Sequence, residues 1–168
     1  DRIGQMFYNV VGDRMTIKEK REKLNITQSK LAELIGVSSR TIRRYENGMI
    51  DKFKEKYILD FLNDLNKVDE THGILKKDDI VKGISEVANK YKIDFVYLFG
   101  SYSKDNANPL SDVDLLIKTS ERGLNYFGLI EEIRTTLNKK IDAISLDDLT
   151  NNKDLLNDIL KEGVKIYG

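Results

Sequence analysis

Two short apolar runs, Asp94–Phe99 (DFVYLF) and Val113–Lys118 (VDLLIK), constrain this chain more than any other feature. Both are dense in branched and aromatic side chains. The first ends on Gly100-Ser101 and the second is preceded by a polar stretch reaching Asp112. Such runs bounded by turn residues predict buried strands. Helical stripes alternate with them. Ile80, Ile84, Val87, Ala88 and Tyr91 recur at helical spacing, and Leu124–Leu137 is amphipathic. Ile141–Leu146 reads as a third strand, Leu155–Leu160 as a last helix and Val164–Tyr167 as a short closing strand. This order predicts an α/β domain over residues 77–168, with a mixed sheet and its helices on one face.

Ahead of this domain the pattern is all-α. Thr16–Leu24 places Ile17 and Leu24 on one side of a helix. Thr27 is a predicted N-cap, followed by Leu31, Leu34 and Ile35 up to Gly36; Ser38 caps a third helix that carries Ile42 and Tyr45 and stops at Asn47-Gly48. A fourth helix is expected over about Phe53–Leu65. These helices form a domain over residues 16–66, with polar residues 67–76 as a linker. Residues 1–15, which begin at Asp1 rather than Met, are expected to be an upstream extension or an expression remnant.

Charge divides the same way. The net charge is zero, but Arg14–Lys56 holds twelve Lys/Arg against six Asp/Glu, whereas Lys77–Gly168 holds thirteen against sixteen. A basic front and a slightly acidic rear imply different partners. With 40% hydrophobic and 33% charged residues the chain is globular rather than disordered. It has no cysteine, and its single His72 falls in the polar linker as an expected exposed loop residue. Any metal must therefore be held by oxygen ligands. No apolar run approaches the roughly 20 residues of a membrane helix, so the expectation is a cytoplasmic protein with no membrane partner.

The stretch TQSKLAELIGVSSRTIRRYENG resembles the helix-turn-helix of the Cro and phage-repressor family. Ala32 is small where two helices would cross, Gly36 permits a left-handed turn, and Leu31, Val37 and Ile42 would bury the interface. The resemblance implies that Gln28 contacts a DNA phosphate and that Ser39, Arg40 and Arg44 face bases from the second helix. Arginine suits guanine through a bidentate contact. Arg43 and Lys30 are expected on phosphates, adding affinity without sequence information. The plainer alternative is a solvated arginine face. A homodimer on operator DNA is a further possibility that the resemblance leaves open.

The segment GSYSKDNANPLSDVDLLI carries the chemistry. Gly100-Ser101 is followed, after ten residues, by Asp112-Val113-Asp114. Strand residues two apart share a face, so Asp112 and Asp114 point one way while Val113, Leu115 and Ile117 point into the core. Two carboxylates so close repel each other unless a cation joins them, and Mg²⁺ binds through one or two carboxylates together with substrate phosphates. Gly100 lets the backbone approach a triphosphate, and the Ser101 hydroxyl and Lys104 can meet its oxygens.

This GS-x10-DxD pattern is similar to that of the polymerase-beta-like nucleotidyltransferases. The resemblance implies a third acid on a neighbouring strand, matched by Asp142, with Asp112, Asp114 and Asp142 as catalytic metal ligands for two Mg²⁺ ions and ATP as substrate. Within the superfamily the chain resembles the small MNT class, antitoxins that modify HEPN-type ribonuclease toxins with AMP. A HEPN-type toxin is thus the implied partner and a tyrosine the implied acceptor, because about twenty residues after Asp148 leave the site open to a macromolecule. Where the family has Arg-Gly after Gly-Ser, this chain has Lys104-Asp105. Two alternatives are a transcription regulator with a decayed, nucleotide-sensing transferase fold and a nucleotidyltransferase acting on a small molecule.

Overall fold

A computed structural model describes residues 15–168, so the expected extension lies, but for Met15, outside the described residues. The chain divides into two compact units, one up to Asp64 and one from Leu65 onward.

The first unit contains α1 (Ile17–Lys23), α2 (Gln28–Ile35), α3 (Ser39–Glu46) and α4 (Lys52–Leu65). Its helices start where the sequence supplies side-chain acceptors for their unpaired N–H groups. Thr16 accepts from the Glu19 amide while Glu19 accepts from the Thr16 amide, a reciprocal capping box. Thr27 and Ser38 cap α2 and α3 through the amides of Lys30 and Thr41, each at 3.1 Å. Gly36 ends α2 at φ +71°, which turns the chain sharply into α3. Ile17, Leu24, Ile26, Leu31, Ala32, Ile42, Ile58 and Leu62 are buried.

The second unit runs α5 (Lys77–Ala88), β1 (Ile93–Phe99), α6 (Gly100–Ser103), β2 (Val113–Thr119), α7 (Leu124–Leu137), β3 (Ile141–Ser145), a 3-10 segment (Leu146–Asn151), α8 (Lys153–Glu162) and β4 (Val164–Tyr167). The sheet has the order β3-β2-β1-β4. It is mixed: β1 is antiparallel to both β2 and β4, and β2 is parallel to β3 across the α7 crossover. Residue alternation sorts the two faces. Val96, Leu98, Val113, Leu115 and Ile117 pack with Ile80, Ile84 and Val87 of α5 and Leu129, Ile133 and Leu137 of α7.

The expectation of helices on one face needs correction. Leu116 turns to the opposite face, where Leu149 and Ile159 bury it with Tyr97, Phe99 and Ile144 around them. The cause is visible in VDLLIK, where Leu115, Leu116 and Ile117 are all apolar, so β2 has an apolar residue for each face and both must be covered. The 3-10 segment and α8 cover the second face. They stop short of Asp114 and Asp142, which occupy the same face one step nearer its edge.

Residues 67–76 are fastened to the second unit. Asp69 accepts from the amides of Thr71 and His72 at 2.7 and 2.9 Å, and Glu70 pairs with Arg134 at 2.6 Å. Lys139, 1% exposed, donates from its Nζ to the carbonyls of Gly73 (2.9 Å) and Pro109 (2.7 Å). It thereby ties the approach to α5 to the loop that delivers Asp112. Lys139→Met keeps the packing of the stem but leaves two carbonyls without a donor, each costing about 1–3 kcal/mol. A urea titration should show the second unit destabilised by about 3 kcal/mol; a loss below about 1 kcal/mol would mean that water replaces the ammonium.

Candidate active site and recognition helix

The ladder between β2 and β3 builds the acidic site. Asp114 stands directly beside Asp142, just as Val113 stands beside Ile141 and Leu116 beside Ile144. Paired residues share a face, so both carboxylates rise from the side that Leu116 and Ile144 occupy lower down. Across the other edge of β2, Phe99 is the partner of Asp114, which brings the following Gly100-Ser101 turn against the same carboxylate. The Ser101 amide donates to Asp114. Asp112 lies one residue before β2; it and Asp114 are half-buried, and Asp142 is exposed.

Gly100 is required here for two reasons. Its φ is +67°, and a Cβ built on it would fall 2.0 Å from Oδ2 of Asp114. The carboxylate of Asp114 fills the space that a side chain would occupy. Sequence reasoning assigned this glycine to the approach of a triphosphate; the structure adds the chain's own acid as a reason for it.

Burial first, and then the charges of Asp142 and Asp112, push the Asp114 carboxyl up to about 6. Three acids placed this close form a site in want of positive charge. As the side chains stand, no three acidic groups among the described residues converge on one ligating point. A cation is nevertheless present. Lys140 places its Nζ 2.6 Å from Oδ2 of Asp112, and its carbonyl accepts from the Val113 amide at 3.0 Å. The all-oxygen donor set and the raised carboxyl suit a hard divalent ion, which would offset both the burial of the Asp114 charge and its repulsion by Asp142 and Asp112.

Around the glycine turn, Ser101 is half-buried and its carbonyl accepts from Asn106 at 3.1 Å. Lys104 is exposed and pairs with Glu162 at 2.5 Å. Lys77 donates to the Ser103 carbonyl at 3.1 Å and pairs with Asp105 at 2.8 Å. Asp105 takes φ +55°, a left-handed conformation suited to glycine. Lys77, Lys139 and Lys140 were not singled out from sequence. Lys140 was within reach of the argument, since it lies two residues before Asp142 and so shares its face.

In the first unit α3 presents Arg40, Arg43 and Arg44 exposed, with Ile42 fully buried behind them. Ser39 is half-buried, its hydroxyl 3.3 Å from that of Ser29, and Lys30 pairs with Glu33 at 2.9 Å. Gln28 donates from Nε2 to Glu46 at 2.6 Å. The same carboxylate receives the buried Arg21 at 2.6 Å, and Arg21 also donates to the Ile26 carbonyl at 2.7 Å. Burial works to raise the Glu46 carboxyl, but the bonds from Arg21 and Gln28 outweigh it and hold it below the usual range. The cluster joins the start of α2 and the end of α3, the two helices of the motif.

A glycine turn backed by the first of two cross-strand carboxylates, on a mixed sheet of this topology, defines a nucleotidyltransferase fold. The family model described as polymerase beta, nucleotidyltransferase matches residues 82–168, more than half of the chain, and the protein belongs to that family. A helix-turn-helix model matches residues 17–70, which include the four helices of the first unit. Two proteins of Methanocaldococcus jannaschii, both named provisionally as protein adenylyltransferases, are similar to the C-terminal part. One is 28% identical over 75 residues, 44% of this chain and 87% of that protein. The other is 31% identical over 67 residues, 38% of this chain and 67% of that protein. Among solved structures, a toxin–antitoxin with AMP-PNP is 21% identical, covering 52% of this chain and 73% of that one, with a TM-score of 0.45. A complex of a tri-AMPylated Shewanella oneidensis HEPN toxin with an MNT antitoxin is 19% identical, covering 56% and 73%, with a TM-score of 0.42. No helix of the described residues is long and apolar enough to cross a membrane.

Proposed function

We propose that this protein is an antitoxin: it transfers AMP from ATP to a tyrosine of a cognate HEPN-type ribonuclease, and represses its own operon through the helix-turn-helix. The observation that carries the enzymatic half is the cross-strand pair of Asp114 and Asp142 beside the Gly100-Ser101 turn. The resemblance of the C-terminal part to two proteins named provisionally as protein adenylyltransferases supports a protein acceptor. So does the exposure of Asp142, which stands open to a macromolecule.

In this reading the acceptor hydroxyl oxygen bonds to the α-phosphorus of ATP, the bond from that phosphorus to the bridging oxygen breaks, and pyrophosphate leaves. Asp142 takes the hydroxyl proton on a carboxylate oxygen. Asp112 and Asp114 with Asp142 would hold Mg²⁺, up to two ions, which would polarise the phosphate oxygens and offset the charge of the leaving group. The backbone at Gly100, with Ser101 and Lys104, receives the triphosphate. An AMP group placed beside a ribonuclease centre blocks an RNA phosphate by bulk and by like charge, so one covalent event suffices. Arg40 and Arg44 read bases, while Gln28, Arg43 and Lys30 hold phosphates.

The test is the intact mass of the ribonuclease after co-expression with the wild-type protein or with Asp112→Ala/Asp114→Ala. Wild type should add the mass of one or more AMP units and abolish RNA cleavage, and the double variant should do neither. Equal inhibition by both without added mass would mean neutralisation by binding alone.

A further inference from the structure

The site described above has a fourth corner. Ile141 pairs with Val113 and Asp142 with Asp114, and the Val113 amide donates to the Lys140 carbonyl, so the ladder sets Lys140 beside Asp112. On β2 and the residue leading into it the same-face residues are Asp112 and Asp114; on the neighbouring segment they are Lys140 and Asp142. Three corners of this square are acids and the fourth is a lysine whose ammonium lies 2.6 Å from Asp112 Oδ2. An oxygen engaged that way offers a metal one lone pair fewer, and the ammonium on it opposes a second cation alongside.

The pair is not a structural clamp. The Lys140 side chain is 69% exposed and that of Asp112 34%, the range in which an ion pair adds about 0–1 kcal/mol to stability. A flexible four-carbon stem in solvent exchanges partners readily. The protein's buried ammonium, on Lys139 next in sequence, is the one that ties loops together. Lys140 thus carries its charge to the acids with little architectural duty.

We propose that Lys140, the fourth corner of the Asp112–Asp114–Asp142 square, is a resident counter-cation that keeps divalent metal out of the free site and releases Asp112 when nucleotide and metal arrive together. The inference rests on the nucleotidyltransferase reading of the site. Its logic is charge balance. With three carboxylates and one ammonium, a divalent ion entering alone must displace or crowd the ammonium, and the two cations repel. A triphosphate brings several negative charges, so the ammonium leaves Asp112 for phosphate oxygens and the ion takes its place. Lys140 is in this sense a positioning residue that makes metal occupancy conditional on nucleotide. The protein would not be loaded by metal in the absence of ATP.

The experiment measures Mn²⁺ binding by electron paramagnetic resonance in the full chain, with and without AMP-PNP, for wild type, Lys140→Met, Lys140→Arg and Asp114→Asn. Without nucleotide, Lys140→Met should bind Mn²⁺ about tenfold more tightly than wild type, and Lys140→Arg should match wild type. With AMP-PNP the advantage of Lys140→Met should disappear or reverse. Thermal unfolding in a chelator should be nearly the same for the three proteins that differ only at position 140. If Lys140→Met and wild type bind Mn²⁺ alone within twofold of each other, the counter-cation role is refuted while the site stands. If no variant binds Mn²⁺ even with AMP-PNP, or if Asp114→Asn binds as wild type does, the metal reading of the site falls and this inference falls with it.

Discussion

Asp114→Asn is expected to abolish nucleotide transfer while raising the melting temperature of the metal-free protein. The carboxyl of Asp114 is pushed up to about 6 by burial and by the charges of Asp142 and Asp112. Its folded pKa therefore lies above the unfolded value of 3.8, the reverse of a salt-bridged acid. The sign follows from proton binding: between these values the folded state holds the proton that the unfolded state has released, so stability falls as pH rises through this window. Above pH 6 the penalty is complete. Two units correspond to about 3 kcal/mol at most, and partial exposure with solvent screening reduces this to about 1–2 kcal/mol. Asparagine keeps an oxygen for the Ser101 amide and removes the charge. In a chelator at pH 7.5 the transition of the second unit should rise by several degrees, and the gain should shrink as pH is lowered toward 4. Calorimetry at the two pH values decides the matter. A gain of the same size at both would show that packing, rather than repulsion among the acids, is the cause.

The second large effect is expected at Glu46. Arg21 and Glu46 have side chains 9% and 3% exposed, so Glu46→Ala leaves a guanidinium buried with only its bond to the Ile26 carbonyl and a long one to Glu22. Breaking one partner out of a buried pair costs about 3–5 kcal/mol. For a unit of some fifty residues that is most of the available stability. Gel shifts should show operator binding abolished, with loss of helical circular dichroism from the first unit. Transfer should persist, since the second unit has its own core. Glu46→Gln, which retains an acceptor for Arg21, should fall between the two. The depressed carboxyl of Glu46 also predicts that this unit loses stability as pH drops below about 4.5 through the lowered folded value. If Glu46→Ala shifts the transition by less than about 1 kcal/mol, the cluster is not what holds α2 and α3 in register.

Much of this was legible in the residues because the informative positions obey short periods. The strands over Asp94–Phe99 and Val113–Lys118, the helix Leu124–Leu137 and the closing strand Val164–Tyr167 are found where alternation and helical spacing place them, with boundaries moved by a residue at β1 and β2. Asp112, Asp114 and Asp142 were picked out by the resemblance of the GS-x10-DxD pattern, and strand alternation then put them on one face. The second-face layer was harder to foresee. Leu146, Leu149, Leu155 and Ile159 fall in a 3-10 segment and a helix joined by a polar break, and no single period spans them. The lysines were hidden for another reason. Lys139 and Lys140 are adjacent and chemically identical, yet one is 1% exposed with two carbonyls on its ammonium and the other sits open beside Asp112. Asn138 at φ +47° ends α7 just before them, and the direction in which the chain leaves that turn decides which lysine goes inside. Arg21 and Glu46 lie 25 residues apart, so their pairing belongs to tertiary structure alone.

The contact between Gly100 and Asp114 makes two positions of the motif inseparable. Any side chain at position 100 would meet Asp114 Oδ2 before it met a substrate, so the glycine is policed by the protein's own carboxylate even when no nucleotide is near. A lineage that ceased to transfer nucleotides and let Asp114 shrink to alanine or serine would lift the clash at position 100 but leave its left-handed backbone, which still favours glycine. Drift at the acid would thus lower one of two barriers to drift at the turn, whereas a side chain at the turn would meet both at once. A chain that still carries glycine at 100 and aspartate at 114 has not taken the first step of that sequence.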